Sequence, residues 1–339
     1  MSDDLVSIVL TSRNHGQWLQ QSIESVLAQT YGNWELIIVD NCSTDHSPQV
    51  LEQYQKHPRI TVMLYAQHMP LTALMNRAIK VARGRYFSIL CSDDYYLPQK
   101  LERQVATFEE LPAGYGVVYS PGYRLMLDGQ LHLTPCGLHQ GNVLQALLTE
   151  PQFFAQIGPL ALRECVVRYP FDETIFQEGE GIYAKIALGY LFHPLPEPLV
   201  VMRDHPRNMG KEIGANLQRD ILMYEHLFGR ADFPEADRHL KGIALGNTYR
   251  LAGWQAIRRE RKYRQGREWL QLAVKNDPKT MRNLRVLSGL FIGFLPKLLA
   301  DASMDLLDHL MGAPPPPVDR PETPVEGFPV ADHSTGTDR

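Results

Sequence analysis

The sequence predicts an α/β protein: a mostly parallel central sheet flanked by helices, followed by a C-terminal α-helical extension. Three observations carry this. Apolar, β-rich runs start near Val6 (VSIVLTS), Trp34 (WELIIVD), Arg59 (RITVMLYA) and Tyr86 (YFSILC), at intervals of 25 to 28 residues. That interval fits successive strand–helix units of a parallel sheet. Between the runs apolar residues recur at helical spacing, and residues 215 to 311 read as helical almost throughout.

Element by element, the first strand ends at Thr11-Ser12-Arg13, and Trp18, Leu19, Ile23, Val26 and Leu27 make the apolar stripe of the helix that follows. The second strand ends at Asp40. Ser43 or Thr44 is placed to cap the next helix, with Pro48 in its first turn. Leu71, Leu74, Met75, Ala78, Ile79 and Ala82 form another stripe, and Gly84 falls where a helix C-terminus wants a left-handed residue. YGVVYS from residue 115 reads as a strand and YRLMLDGQLHL as a hairpin around Asp128-Gly129. Residues 142 to 190 mix short helices and loops, ending in a helical run from Ile182 to Leu191; Glu197 to Arg203 reads as a late edge strand. The expected organisation is a catalytic domain over 1–212, a helical extension over 213–312, and a disordered tail over 313–339 that opens on four consecutive prolines.

Composition excludes several classes. A formal net charge of -4 and a pI near 6.3 argue against a dedicated nucleic-acid binder. Cys42, Cys91, Cys136 and Cys165 lack metal-type spacing, and two of them end predicted buried strands, which points to a reduced, cytoplasmic setting. The acidic start Met1-Ser2-Asp3-Asp4 runs straight into a strand, so no secretory leader is expected. The longest apolar stretch, Val286 to Ala300, is interrupted by Pro296 and Lys297 and falls short of a membrane span. Dinucleotide, P-loop and zinc-protease signatures are missing.

The chemistry gathers at strand ends. Asp93 and Asp94 close the run YFSILC, and a strand so apolar belongs inside a sheet whose carboxyl edge is where ligands bind. Two adjacent carboxylates repel unless a cation neutralises them, and a hard divalent metal holding a diphosphate does so. The alternative, a helix N-cap before Pro98, needs one acceptor and leaves the second acid unexplained. Asp40 ends a neighbouring strand, where its carboxylate can accept from a uracil N3–H or ribose hydroxyls. Alternatively, Asp40 and Asp45 form an Asx turn and cap the helix.

The ordered blocks resemble the inverting family-two glycosyltransferases, whose catalytic domain has the GT-A nucleotide-diphospho-sugar transferase fold. They are VSIVLTSRNHGQWLQQSIESVLAQTYGNWELIIVDNCSTD, then Asn76-Arg77-Ala78 with Ala82-Arg83-Gly84-Arg85-Tyr86, then Cys91-Ser92-Asp93-Asp94, within residues 5 to 210. The resemblance implies nucleotide-sugar binding by Thr11, Ser12, Arg13, Asn14, Asp40, Asn76, Asp93 and Arg203. It implies a divalent metal, Mn2+ or Mg2+, on Asp94. Arg203-Asp204-His205 resembles the family's Arg-x-His, making His205 a further metal ligand or a diphosphate contact, with a plain surface-loop histidine as the alternative. Many relatives carry an aromatic residue where Arg13 stands. Inversion needs a general base for the acceptor hydroxyl. Counting back from Lys185, the relatives' aspartate falls on Gly179, flanked by Glu178 and Glu180; Glu180 is favoured as base, and the alternative is that both acids decorate a helix N-terminus.

The implied activity is metal-dependent, inverting transfer of a sugar, a UDP-sugar being the first candidate, to a hydroxyl of a surface glycan or lipid-linked saccharide. The rival reading is a noncatalytic nucleotide-sugar or glycan-binding protein of the same fold. Residues 241 to 300 hold 13 Lys/Arg against three acids beside the apolar run Leu284 to Leu299. Either this is a solvated helix face or it makes peripheral contact with an anionic membrane, at the inner face of the cytoplasmic membrane.

Overall fold

The computed structural model describes residues 4–150, 153, 155–179 and 181–310. Glu180 and the Pro-rich tail lie outside the described residues. The chain opens with β1 (Val6–Ser12), α1 (Gly16–Leu27), β2 (Trp34–Asn41), α2 (Ser47–Glu52), β3 (Ile60–Tyr65), α3 (Leu71–Val81) and β4 (Tyr86–Cys91). It continues through β5 (Tyr95–Tyr96), α4 (Lys100–Glu110), β6 (Tyr115–Tyr119), β7 (Gly122–Leu125), β8 (Leu131–Leu133), α5 (Leu144–Thr149), β9 (Leu160–Leu162), α6 (Arg163–Arg168), α7 (Gly181–Ile186), β10 (Leu191–Pro194) and β11 (Val200–Arg203). Then come α8 (Ile213–Gly229), α9 (Leu240–Glu260), α10 (Tyr263–Asn276), α11 (Leu284–Ile292) and α12 (Lys297–Leu310).

Seven strands form the main sheet in the order β10-β6-β9-β4-β1-β2-β3, parallel except for β9. Alternation along β1 builds the two cores: Val6, Ile8 and Leu10 pack with Leu19, Ile23 and Val26 of α1, while Val9 joins Leu74 and Ala78 of α3 on the opposite face. Because β2 lies on one side of β1 and β4 on the other, chain direction switches at β1. The carboxyl ends of β1, β2 and β4 therefore open onto one crevice edge. A second sheet, β5-β11-β7-β8, lies beyond β4 in sequence.

Four local expectations are corrected. The strand from Val200 is internal, since β11 pairs with both β5 and β7. The helix beginning near 181 stops at Ile186, because Leu191–Pro194 is drawn into the main sheet as β10, parallel to β6. The N-cap of α2 is His46, without a side-chain cap bond, rather than Ser43 or Thr44; just before it, Asp45 Oδ1 accepts from Ser47 N at 2.9 Å. Gly84 is not left-handed; it is required by close approach, since a Cβ there would lie 2.6 Å from Ser7 N and 2.7 Å from Leu5 O.

The chain divides into two compact units. One comprises residues 1–211 and 219–247, the other 212–218 and 248–339. The first runs past residue 212 because Leu227, Phe228, Phe233, Leu240 and Ala244 bury into the core that α3 shares. The second has its own core of Ile257, Tyr263, Leu270, Val286, Ile292, Ala300 and Met304. No helix among the described residues is long and apolar enough to cross a membrane.

Candidate active site

Three segments converge at the carboxyl ends of β1 and β4. The turn after β4 supplies Ser92, Asp93 and Asp94; the turn from β1 into α1 supplies His15; the last residue of β11 and the loop after it supply Arg203, His205 and Asn208. Asp93 is the hub. One Oδ accepts from His205 Nε2 at 3.0 Å, and the other lies 3.8 Å from His15 Nδ1. His15 Nδ1 also sits 2.8 Å from Ser92 Oγ. The Trp18 ring covers His205, with centroids 4.1 Å apart. Asn208 Oδ1 accepts from the His205 backbone N–H at 2.6 Å, which fixes the loop. With Nε2 donating to Asp93, the buried His205 Nδ1 has no partner.

Arg203 braces the acids. Its backbone N–H donates to Asp94 Oδ1 at 2.8 Å, its Nε to the Asp93 carbonyl at 3.0 Å, and its Nη2 to Gln21 Oε1 at 2.6 Å. Burial, and then the charge of Asp93, push the Asp94 carboxyl well above the usual carboxylate range. Burial alone would also raise Asp93, but the His205 hydrogen bond and His15 outweigh it and hold that carboxyl low. His15 is lowered by burial, against the pull of Asp93, which favours a neutral imidazole able to coordinate a metal.

These groups fit a divalent cation. Side-chain donors of His15, Asp93 and His205 lie within 4.8 Å of one another, as do those of Cys91, Asp93 and Asp94. A buried imidazole nitrogen without a partner and two adjacent acids, Asp94 buried and Asp93 half-buried, are what a cation would satisfy. Asp93 belongs to both groups; among the described residues no group of three contains both Asp94 and His205. Mixed imidazole and carboxylate donors suit Mn2+, and carboxylates alone suit Mg2+.

The remaining predicted residues divide. Asp40 is 3% exposed, and its oxygens accept from Ser43 N at 2.9 Å and Ser43 Oγ at 2.6 Å, forming the Asx turn while each oxygen keeps a further lone pair. Asn14, at φ 53°, ties two turns together: its Oδ1 accepts from Thr44 N at 2.7 Å and its N–H donates to Ser43 Oγ at 2.8 Å. Thr11 is half-buried at the end of β1, opposite Val39 and Cys91. Ser12 Oγ and Arg13 Nε are buried without partners, and Arg13 Nη1 reaches His68 Nε2 at 2.9 Å.

Two residues take other roles. Asn76 clamps the loop before α7: its Nδ2 donates to Phe171 O and Glu173 Oε1, and its Oδ1 accepts from Phe171 N, at 2.8 to 3.0 Å, so both amide N–H groups are engaged and only one Oδ1 lone pair is left. Glu178, 3% exposed, pairs with Lys185 Nζ at 2.8 Å and accepts from Asp172 N at 3.0 Å. Both of its oxygens are thereby engaged. Gly179 has φ +58°, a conformation glycine adopts without cost. Sequence reading missed His15, Trp18 and Asn208. His15 alone had a local signal, directly after Asn14 on the same sheet edge.

A parallel sheet with carboxylates, imidazoles and an arginine gathered at its switch point has the architecture of the GT-A fold. Residues 7–164 match the family described as Glycosyl transferase family 2. The chain is 39% identical over 107 residues to the Escherichia coli UDP-Glc:alpha-D-GlcNAc-diphosphoundecaprenol beta-1,3-glucosyltransferase WfgD, covering 31% of this chain and 42% of that protein. It is 37% identical over 123 residues to Bacillus subtilis TuaG, a glycosyltransferase provisionally assigned to teichuronic acid biosynthesis, covering 36% and 48%. The chain thus spans about half the length of the curated relatives it matches. Among solved structures, Staphylococcus aureus TarS 1–349 in complex with UDP superposes with a TM-score of 0.61 at 16% identity, over 88% of this chain and 91% of that one. The Pyrobaculum calidifontis mannosyltransferase PcManGT with GDP-Man and Mn2+ gives 0.57 at 15%, over 89% and 87%. At such identities these two speak for the fold alone.

Proposed function

We propose that this chain is a metal-dependent inverting glycosyltransferase that moves a sugar from a nucleotide-sugar donor, a UDP-sugar first among candidates, to a hydroxyl of a surface glycan or lipid-linked saccharide. The observation that carries this is Asp93, shared by the His15–His205 group and the Cys91–Asp94 group beside Arg203. Asp40, Ser12 and Arg13 are placed to receive the nucleoside, with Thr11 beside them. A Mn2+ or Mg2+ would be held at Asp93, with His15 and His205 on one side or Asp94 on the other, and would supply positive charge to the departing diphosphate. Arg203 adds a second cation to that side of the donor and keeps Asp94 aimed by its backbone N–H. Trp18 over His205 keeps water from that imidazole. Glu180, next to Gly179, is the proposed base; Glu178 holds Lys185.

The setting proposed is the cytoplasmic face of the membrane, with peripheral contact through residues 241–300. WfgD, named for a diphosphoundecaprenol-linked acceptor, supports a lipid-linked one. A second reading, a noncatalytic nucleotide-sugar or glycan-binding protein, is favoured by one observation: Glu178 is locked in an ion pair and Gly179 has no side chain. Incubating the purified chain with Mn2+ and a panel of nucleotide sugars separates the two. Release of nucleoside diphosphate supports the transferase; saturable binding with no turnover, with or without acceptor saccharides, supports the binding protein.

A further inference from the structure

We propose that α11 and the start of α12 form a face that seats on an anionic lipid bilayer. This rests on, and deepens, the membrane contact proposed for residues 241–300. Leu284, Leu287, Phe291, Phe294 and Leu298 follow at steps of three or four residues, and are 80, 42, 66, 68 and 82% exposed. The inward positions Val286, Gly289 and Ile292 are already packed in the core of their unit. α11 is therefore apolar on both faces, one covered and one open. The outer face of a helix in water is ordinarily polar, and an apolar ridge of this size marks a binding surface.

Charge selects the occupant. Arg282, Arg285 and Lys297 are exposed along the same stretch, and none is in an ion pair among the described residues. The nearest acids of α12 are engaged: Asp301 accepts from Tyr263 Oη, and Asp305 pairs with Arg261 at 2.9 Å. The Arg267 guanidinium lies 4.1 Å above the Phe294 ring, so cation and apolar side chain share one outward patch. A second copy would bring the same cations against these, whereas anionic headgroups complement them. An open apolar cavity of about 360 Å3, lined by Trp254, Leu284, Leu287 and Leu307 together with Arg285, offers room for an acyl segment. With 9 residues, α11 can lie in an interface but not cross it.

The test is sedimentation of the full chain, without donor or metal, with vesicles of phosphatidylcholine alone or of equimolar phosphatidylcholine and phosphatidylglycerol. Binding to the anionic vesicles is expected to be at least about tenfold stronger and to weaken with salt. The exposed-site variant F291S/F294S/L298S should melt like the wild type and lose about tenfold or more in partitioning. R282E/R285E/K297E should lose the preference for phosphatidylglycerol. No wild-type binding, or wild-type binding by the serine variant, overturns the proposal. A dimer in light scattering that the serine substitutions dissociate also overturns it, by making a second copy the occupant. Donor hydrolysis in vesicle-free buffer should be unchanged in both variants; its absence from the wild type, with vesicle binding intact, removes the transferase reading alone.

Discussion

Asp93 is the residue on which the site turns, because His205, His15, Arg203 and Asp94 all arrange themselves around it. Replacing it with alanine should weaken Mn2+-dependent donor binding by about 10- to 100-fold, the range seen when a metal's supporting groups are removed. Calorimetry with UDP and Mn2+ reads this directly, and unchanged affinity would move the metal off Asp93. Glu178 separates two roles cleanly. If it only anchors Lys185, Glu178→Gln leaves a buried ammonium unpaired and should cost about 3 kcal/mol in urea unfolding. Unaltered stability with lost turnover would instead make Glu178 the base. Asp40, Asp93 and Asp94 were legible because a strand end announces itself in one stretch of sequence. His15, Trp18 and Asn208 were not, since their roles arise only when three distant turns meet. Glu178 misleads for a related reason: its partner Lys185 faces it only after the intervening turn closes.

At the scale of elements, β1, β2 and the loop after α3 are locked by one buried network. Ser7 Oγ donates to Glu35 Oε1 at 2.6 Å and accepts from Gly84 N at 2.8 Å, while Arg83 Nη2 pairs with Glu35 at 2.7 Å. Burial works to raise the Glu35 carboxyl, but the bonds from Ser7 and Arg83 prevail and hold it below its ordinary value of 4.5. A lowered carboxylate contributes stability that is full above the unfolded-state value and lost as pH falls through the folded one. The stability gap between wild type and Glu35→Gln should therefore be present at neutral pH and close below about pH 4.5, as measured by denaturant melts. Gly84→Ala should cost about 1–3 kcal/mol, because the new Cβ meets backbone that cannot give way. A melting temperature equal to wild type would show that the loop has slack. The four parallel strands were readable from periodicity alone, but β10 and the internal place of β11 were not, because strands this short carry no period. Gly84 was visible as a required glycine, though the requirement is steric contact with β1 rather than handedness.

At the scale of the molecule, helical content beyond residue 213 was plain in the sequence, but the division between units was not: periodicity gives a helix its apolar stripe without saying which core receives it. Residues 219–247 went to the first unit because Leu227, Phe228 and Leu240 fill that unit's core. The same separation of core from crevice predicts how the fold responds to metal. The sheet is held by apolar clusters on both faces, and Arg203, Asn208 and Trp18 brace the acidic turn through hydrogen bonds and ring contact that need no ion. Chelation with EDTA should therefore abolish donor hydrolysis while leaving far-UV circular dichroism unchanged, unlike a domain that folds around its metal. Adding Mn2+ and UDP at about 100 times their dissociation constant should stabilise the protein by about 2.7 kcal/mol. For a domain of this size that is a rise of roughly 5–10 °C in melting temperature. Because two adjacent carboxylates, one of them buried, repel until a cation joins them, UDP without metal should give much the smaller rise. Equal shifts with and without Mn2+ would mean that Asp93 and Asp94 receive the donor through Arg203 alone.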